Sequence, residues 1–160
     1  MPVGVGDQAP DFSLPFEASP ERVTLSGFRG RPVVVLFFPL AFSPRCMDEM
    51  CTVAEDFAAW TELDAQVLGI SVDSPYVVQR FAAACDAEFP MLSDFNREAV
   101  DAFGVRDDDF YGLKGVAYRS VFVVDPQGRV AYVWVTEDAS VLPDFDIIRD
   151  VVRSVGQTPA

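Results

Sequence analysis

The chain's most strongly apolar run covers residues 32–42, and within it Val33-Val34-Val35-Leu36-Phe37-Phe38 has no polar position at all. A strand with one wet face alternates polar and apolar residues; a β-branched and aromatic run without alternation predicts a central strand buried on both faces. A second run over 67–72 ends at Asp73-Ser74-Pro75, a turn followed by a helix start. A third over 120–124 ends at Asp125-Pro126-Gln127-Gly128, and a fourth follows directly over 129–135. The Asp-Pro-x-Gly link predicts a tight turn, so the last two runs pair as an antiparallel hairpin. Between the runs, Met47, Met50, Cys51, Ala54, Phe57, Ala58 and Trp60 recur close to helical spacing and predict a helix over 44–63. Shorter helices are predicted over 76–85, 97–103 and 145–155. The order strand, helix, strand, helix, hairpin, helix predicts an α/β fold with a mixed central β-sheet and helices on both faces. Its first part is expected to use parallel strands joined by right-handed crossovers.

The length of 160 residues suits a single domain over 1–160 with room for a substantial core, and no internal repeat or low-complexity linker divides it. Half of the residues are apolar and 12% are aromatic, which excludes a disordered composition. Charge narrows the partners: a net −13 with no histidine argues against nucleic acid, whose phosphates it would repel, and against anionic membrane surfaces. The surplus of carboxylates fits an ordinary self-repelling surface or one suited to a salt-rich cytosol, and charge balance alone leaves both open. The apolar run over 32–42 is too short to span a bilayer. Residues 1–11 lack a basic region and an apolar region, so no secretory signal is expected and the protein is expected in the cytoplasm. In that compartment three cysteines are expected to be reactive or buried thiols rather than structural disulfides.

The segment Phe37-Phe38-Pro39-Leu40-Ala41-Phe42-Ser43-Pro44-Arg45-Cys46 leaves the buried strand and enters the first helix. Ser43 suits the N-cap and Pro44 the first helical position, which puts Cys46 in the first turn. Unpaired N–H groups and the helix dipole favour an anion there, so a thiolate gains relative to the thiol. Arg45 adds a positive charge next door. A free cysteine is also often just a small buried hydrophobe, and local physics leaves the two readings of Cys46 open.

Pro39-x-x-x-Ser43-x-x-Cys46 resembles the active-site signature of the peroxiredoxin family, and it stands after the first core strand and at a helix start, as in that family. Gly6-Asp7-Gln8-Ala9-Pro10-Asp11-Phe12, Phe89-Pro90-Met91-Leu92-Ser93-Asp94 and Arg119-Ser120-Val121-Phe122 are similar to further family segments, so the likeness runs from about residue 3 to about residue 135. The AhpE-like and bacterioferritin-comigratory branches are the most similar. The resemblance implies a thioredoxin-like fold, which pattern alone does not single out. It implies a thiol-dependent peroxidase that reduces hydrogen peroxide, alkyl hydroperoxides or peroxynitrite without a cofactor, as a monomer or homodimer. Cys46 would be the peroxidatic nucleophile, becoming a sulfenic acid. Ser43 would hydrogen-bond the peroxide, Pro39 would shield the thiolate, Arg119 would hold the thiolate charged, and Glu49 would orient Arg119. The reductant would be a thioredoxin-like protein or a small thiol. Read without the family, Arg119 is a solvent-facing strand charge, Pro39 a strand end, and Glu49 a solvated helix carboxylate. Serine in place of the more usual threonine, and Pro44-Arg45 in place of a small or apolar pair, depart from the pattern without removing a catalytic group.

Cys51 follows Cys46 by five residues, a spacing that resembles members of the bacterioferritin-comigratory branch with a resolving cysteine there. Five helical residues separate Cα atoms by about 8–9 Å, beyond the roughly 7 Å limit for a disulfide, so the helix start would have to unwind. Packing on the apolar face is the alternative role for Cys51. Cys85 matches no catalytic motif and reads as filler. With no Cys-x-x-Cys pair, a zinc site is not expected. The same absence discounts a thiol–disulfide oxidoreductase on this fold, while a non-enzymatic redox sensor built on Cys46 stays open.

Overall fold

The computed structural model describes residues 2–16 and 21–156. A short hairpin, β1 (Ser13–Pro15) with β2 (Arg22–Thr24), leads through a 3-10 turn (Leu25–Phe28) into β3 (Val33–Phe37). Then follow α1 (Pro44–Glu55), α2 (Phe57–Glu62), β4 (Gln66–Ser71), α3 (Pro75–Ala84), β5 (Met91–Ser93) and α4 (Glu98–Phe103). The strands β6 (Arg106–Asp107) and β7 (Val116–Ala117) form a small ribbon, and β8 (Arg119–Val124), β9 (Val130–Thr136) and α5 (Phe145–Gly156) complete the order. The main sheet runs β5-β4-β3-β8-β9, with β3, β4 and β5 parallel and both β8 and β9 antiparallel to their neighbours. The expected mixed sheet and its terminal hairpin are therefore present, the hairpin with a register shift at Val123/Val124.

Every residue of β3 is buried because both of its faces are covered. Val33, Val35 and Phe37 join Phe103 of α4 and Phe12 and Leu14 of the N-terminal segment on one face. There Phe37, Phe103 and Phe122 pack ring against ring, with centroids 5.0–5.9 Å apart. Val34, Leu36 and Phe38 join Met50 and Val53 of α1, Trp60 of α2, Phe81 of α3 and Ile148 and Val152 of α5 on the other. Each such side chain contributes about 1.5–3 kcal/mol when taken fully from water. The same alternation governs β8: Phe122 and Val124 face α4, whereas Val121 and Val123 face α1. By period two, Arg119 belongs to the α1 face.

Apart from shifts of a residue at element ends, two helices and five short strands differ from expectation. The helix predicted over 44–63 is two helices, interrupted at Asp56 (φ −95°, ψ 18°), whose carboxylate pairs with Arg149 of α5 at 3.6 Å. The helix predicted from residue 97 begins at Glu98, because Arg97 is left-handed (φ 62°) and Asp94 caps the first turn, accepting from the N–H groups of Ala99 and Val100 at 3.1 and 2.8 Å. The strands β1, β2, β5, β6 and β7 were not expected; each is only two or three residues long, too short to show a period.

Candidate active site

The site forms where β3 ends. Phe38 N–H still donates to Ile70 O at 3.0 Å, Pro39 is buried, and the chain then leaves the sheet through Leu40–Ser43. Two features shape this loop. Phe42 adopts a left-handed φ of 68° and lays its ring against Phe81 (centroids 5.2 Å apart), and Ala41 N–H donates to Asp73 Oδ2 at 2.7 Å. Asp73 also accepts from Ser71 Oγ at 2.7 Å, so the end of β4 holds the loop that precedes α1. Ser43 occupies the N-cap and Pro44 the first turn, as expected. The Ser43 hydroxyl does not cap the helix, however; it donates to Leu40 O at 2.9 Å.

Cys46 is fully buried in the first turn of α1 and is a free thiol. Arg119, from the first position of β8, is buried with it, and does not face solvent as it would if read without the family resemblance. The register explains the meeting: Phe37 at the end of β3 neighbours Ser120, so Arg119 projects onto the α1 face just where α1 starts. Its Nη2 is 3.5 Å from Cys46 Sγ and its Nη1 donates to Glu49 Oε1 at 2.7 Å. Nε and Nη2 also donate to the Ala139 carbonyl, at 3.3 and 3.0 Å. Glu49 is buried, not solvated, and its Oε2 has no hydrogen-bond partner. Burial pushes its carboxyl up from an ordinary 4.5 to about 7, against the opposing pull of Arg119. Burial alone would lower the Arg119 pKa, but Glu49 and Cys46 outweigh it and hold the guanidinium firmly charged. Arg45 pairs with Asp48 at 3.7 Å on the surface and also lines the mouth of the cavity over Arg119.

A cavity of about 210 Å³ opens over this group, lined by Ser43, Pro44, Arg119, Ala139, Phe110 and Tyr111. Arg119 and Ser43 thus share one opening beside a buried sulfur. A planar cation with donors on both edges can bind an anion and a developing oxyanion together. Among the described residues no cluster of three or more His, Cys, Asp or Glu could hold a metal ion.

The model of the AhpC/TSA family matches residues 5–133. The chain belongs to the AhpC/TSA family, the peroxiredoxins. The peroxiredoxin Bcp of Escherichia coli (strain K12) is 35% identical over 136 residues, covering 83% of this chain and 86% of that protein. A Mycobacterium tuberculosis relative assigned to the peroxiredoxins is 39% identical over 128 residues, covering 78% of this chain and 80% of its own. The crystal structure of the peroxidoxin BcpB from M. tuberculosis superposes with a TM-score of 0.81 at 29% identity, over 94% of this chain and 97% of that one. The fold is thioredoxin-like and the protein is a thiol-dependent peroxidase. Membership makes hydroperoxides the substrate class and thioredoxin-like thiol proteins the reductant class of this peroxiredoxin.

The cysteines correct the sequence reading. Cys51 and Cys85 form a disulfide across α1 and α3, with Cα atoms 4.8 Å apart. Cys85 is therefore not filler, and the disulfide fits a redox-active Cys51 while giving it Cys85 as its partner in this structure. No motif pointed to Cys85; only the packing of α3 against α1 brings residues 34 apart together. The anchors Asp73 and Ala139 were missed as well. One acts through a carboxylate that read as a turn signal, the other through a backbone carbonyl that no side-chain pattern reports.

Proposed function

We propose that Cys46 attacks the terminal oxygen of a hydroperoxide, with Arg119, Ser43, Pro39 and Glu49 completing the site on one domain spanning residues 1–160. The observation that carries this reading is the 3.5 Å contact from Arg119 Nη2 to Cys46 Sγ inside a buried first helical turn. Sulfur bonds to the distal oxygen, the O–O bond breaks, and the proximal oxygen leaves as alkoxide and is protonated to the alcohol or water. Cys46 is left as sulfenic acid. Arg119 holds the attacking thiolate and meets the negative charge as it moves to the leaving oxygen. Glu49 fixes one edge of the guanidinium and Ala139 O the other, leaving Nη2 aimed at the sulfur. Ser43 offers its hydroxyl at the cavity mouth, and buried Pro39 keeps the loop closed behind the thiol.

All of these groups come from one chain, which supports activity as a monomer or as a homodimer of complete sites. Hydrogen peroxide, alkyl hydroperoxides and peroxynitrite are the substrates assigned, with no nucleic-acid or membrane partner. Among the described residues no helix is long and apolar enough to cross a membrane. The cytoplasm, where thioredoxin-class dithiols are kept reduced, is the compartment assigned. The test is peroxide consumption by Cys46→Ser in the presence of a dithiol reductant. Loss of turnover with an unchanged circular-dichroism spectrum is the expected result. Turnover close to wild type would reject Cys46 as the nucleophile.

A further inference from the structure

We propose that Cys85 is a second resolving thiol, so that oxidation is relayed from Cys46 to Cys51 and then onto a Cys51–Cys85 disulfide. The inference rests on the assignment of Cys46 as the attacking thiol. Three observations carry it. Cys46 is fully buried, so its sulfur is closed to a protein reductant while α1 stays formed. Cys51 lies on the same unbroken helix, about 8–9 Å away between Cα atoms by helical rise and radius, too far for a bond unless the first turns unwind. Cys85, the C-cap of α3, bonds to Cys51 with both helices intact. Oxidising equivalents can therefore be stored at Cys51–Cys85 in the folded protein, but at Cys46–Cys51 only in a partly unfolded one.

The exchange balances at each step. Cys46 sulfenic acid and the Cys51 thiol condense to a Cys46–Cys51 disulfide and water, with the start of α1 unwound. The Cys85 thiolate then attacks Cys51 Sγ, the Cys46–Cys51 bond breaks, and the electron pair leaves with Cys46 as thiolate. A Cys51–Cys85 disulfide remains, and the departing Cys46 returns to the Arg119 contact as α1 refolds. A dithiol protein of the thioredoxin class reduces Cys51–Cys85 to two thiols and becomes a disulfide itself. Cys51 is only half-buried, which favours its side of the bond for that attack over Cys46. The active thiol is thus regenerated before the reductant arrives.

Fully reduced protein, titrated with hydrogen peroxide without reductant, decides the matter. The relay requires about two equivalents consumed per chain: the first ends as Cys51–Cys85, the second as Cys46 sulfenic acid. Dimedone should label Cys46 on molecules whose Cys51–Cys85 disulfide is intact, and quenched samples should show Cys46–Cys51 appearing first and then decaying. Cys85→Ser should stop at one equivalent with Cys46–Cys51 accumulated. One equivalent in the wild type, ending at Cys46–Cys51 or at a sulfenic acid beside free Cys51 and Cys85, would overturn the relay. So would a Cys46–Cys85 intermediate, or a Cys51–Cys85 bond that the dithiol reductant cannot open during turnover. Peroxide consumption surviving in Cys46→Ser is a separate result, which removes the parent assignment along with the relay.

Discussion

Glu49 has the least comfortable environment of any residue at the site. It is fully buried, one oxygen is bonded to Arg119 and the other to nothing. Its folded-state pKa of about 7 lies above the ordinary 4.5, so between those values the native protein holds a proton that the unfolded chain has lost. The contribution to stability is then complete below about pH 4.5 and is lost as pH rises through 7, a swing of about 3 kcal/mol for a shift of this size. Glutamine keeps the shape and one acceptor for Arg119 but cannot titrate. Urea unfolding across this range should therefore show wild-type stability falling relative to Glu49→Gln as pH rises. Parallel curves for the two proteins would mean that Glu49 titrates alike in folded and unfolded chains. Read without the family, a lone glutamate on a helix shows neither its burial nor its partner; the resemblance named Arg119, and the burial comes from the fold.

At the scale of elements, the site depends on how two strand ends are tied. The turn after β4 carries Asp73, whose carboxylate receives Ala41 N–H and Ser71 Oγ and so fixes the β3–α1 loop ahead of Cys46. Asp73→Ala would leave both donors, part-buried, without that acceptor, at a cost of about 1–3 kcal/mol each where water cannot replace it. Equilibrium unfolding should register the loss, and stopped-flow peroxide kinetics should show slower attack by Cys46 as its loop loosens. An unchanged attack rate would separate the loop from catalysis. The long elements were legible because burial writes itself into sequence: β3 as an unbroken apolar run, α1 as helical spacing, the β8–β9 hairpin as Asp-Pro-x-Gly. The grouping of Pro39, Ser43 and Cys46 was legible because one short stretch, from the end of β3 into the first turn of α1, carries all three. What stayed hidden was made by tertiary contact alone. Cys51 meets Cys85 across 34 residues, and β5 is a three-residue strand defined by its pairing with β4; the Arg119–Glu49 pair, 70 residues apart, came from the family resemblance and not from the residue pattern.

Across the whole molecule, the surplus of acidic side chains is expected to bias which peroxides reach the cavity. The chain carries 25 acidic against 12 basic side chains. Asp107, Asp109, Glu137 and Asp138 line a hollow that shares Phe110, Tyr111 and Ala139 with the cavity over Arg119. An anionic substrate is therefore repelled at long range although the guanidinium that would receive it is positive. Screening weakens the repulsion, with a Debye length of about 10 Å at 0.1 M salt and about 3 Å at 1 M. Contact inside the buried site is screened much less, so added salt should act on approach rather than on chemistry. The comparison to make is kcat/KM for a short hydroperoxide bearing a carboxylate against its neutral methyl ester, over about 0.05–0.5 M KCl. The carboxylate substrate should speed up roughly several-fold while the ester and hydrogen peroxide stay level. Peroxynitrite, an anion at about pH 8, should follow the carboxylate. A rate that falls with salt for the anion would mean that the Arg119 field dominates the mouth after all. Equal responses for acid and ester would mean that salt acts on the fold, and thermal unfolding in the same KCl series would show it as a rise in Tm.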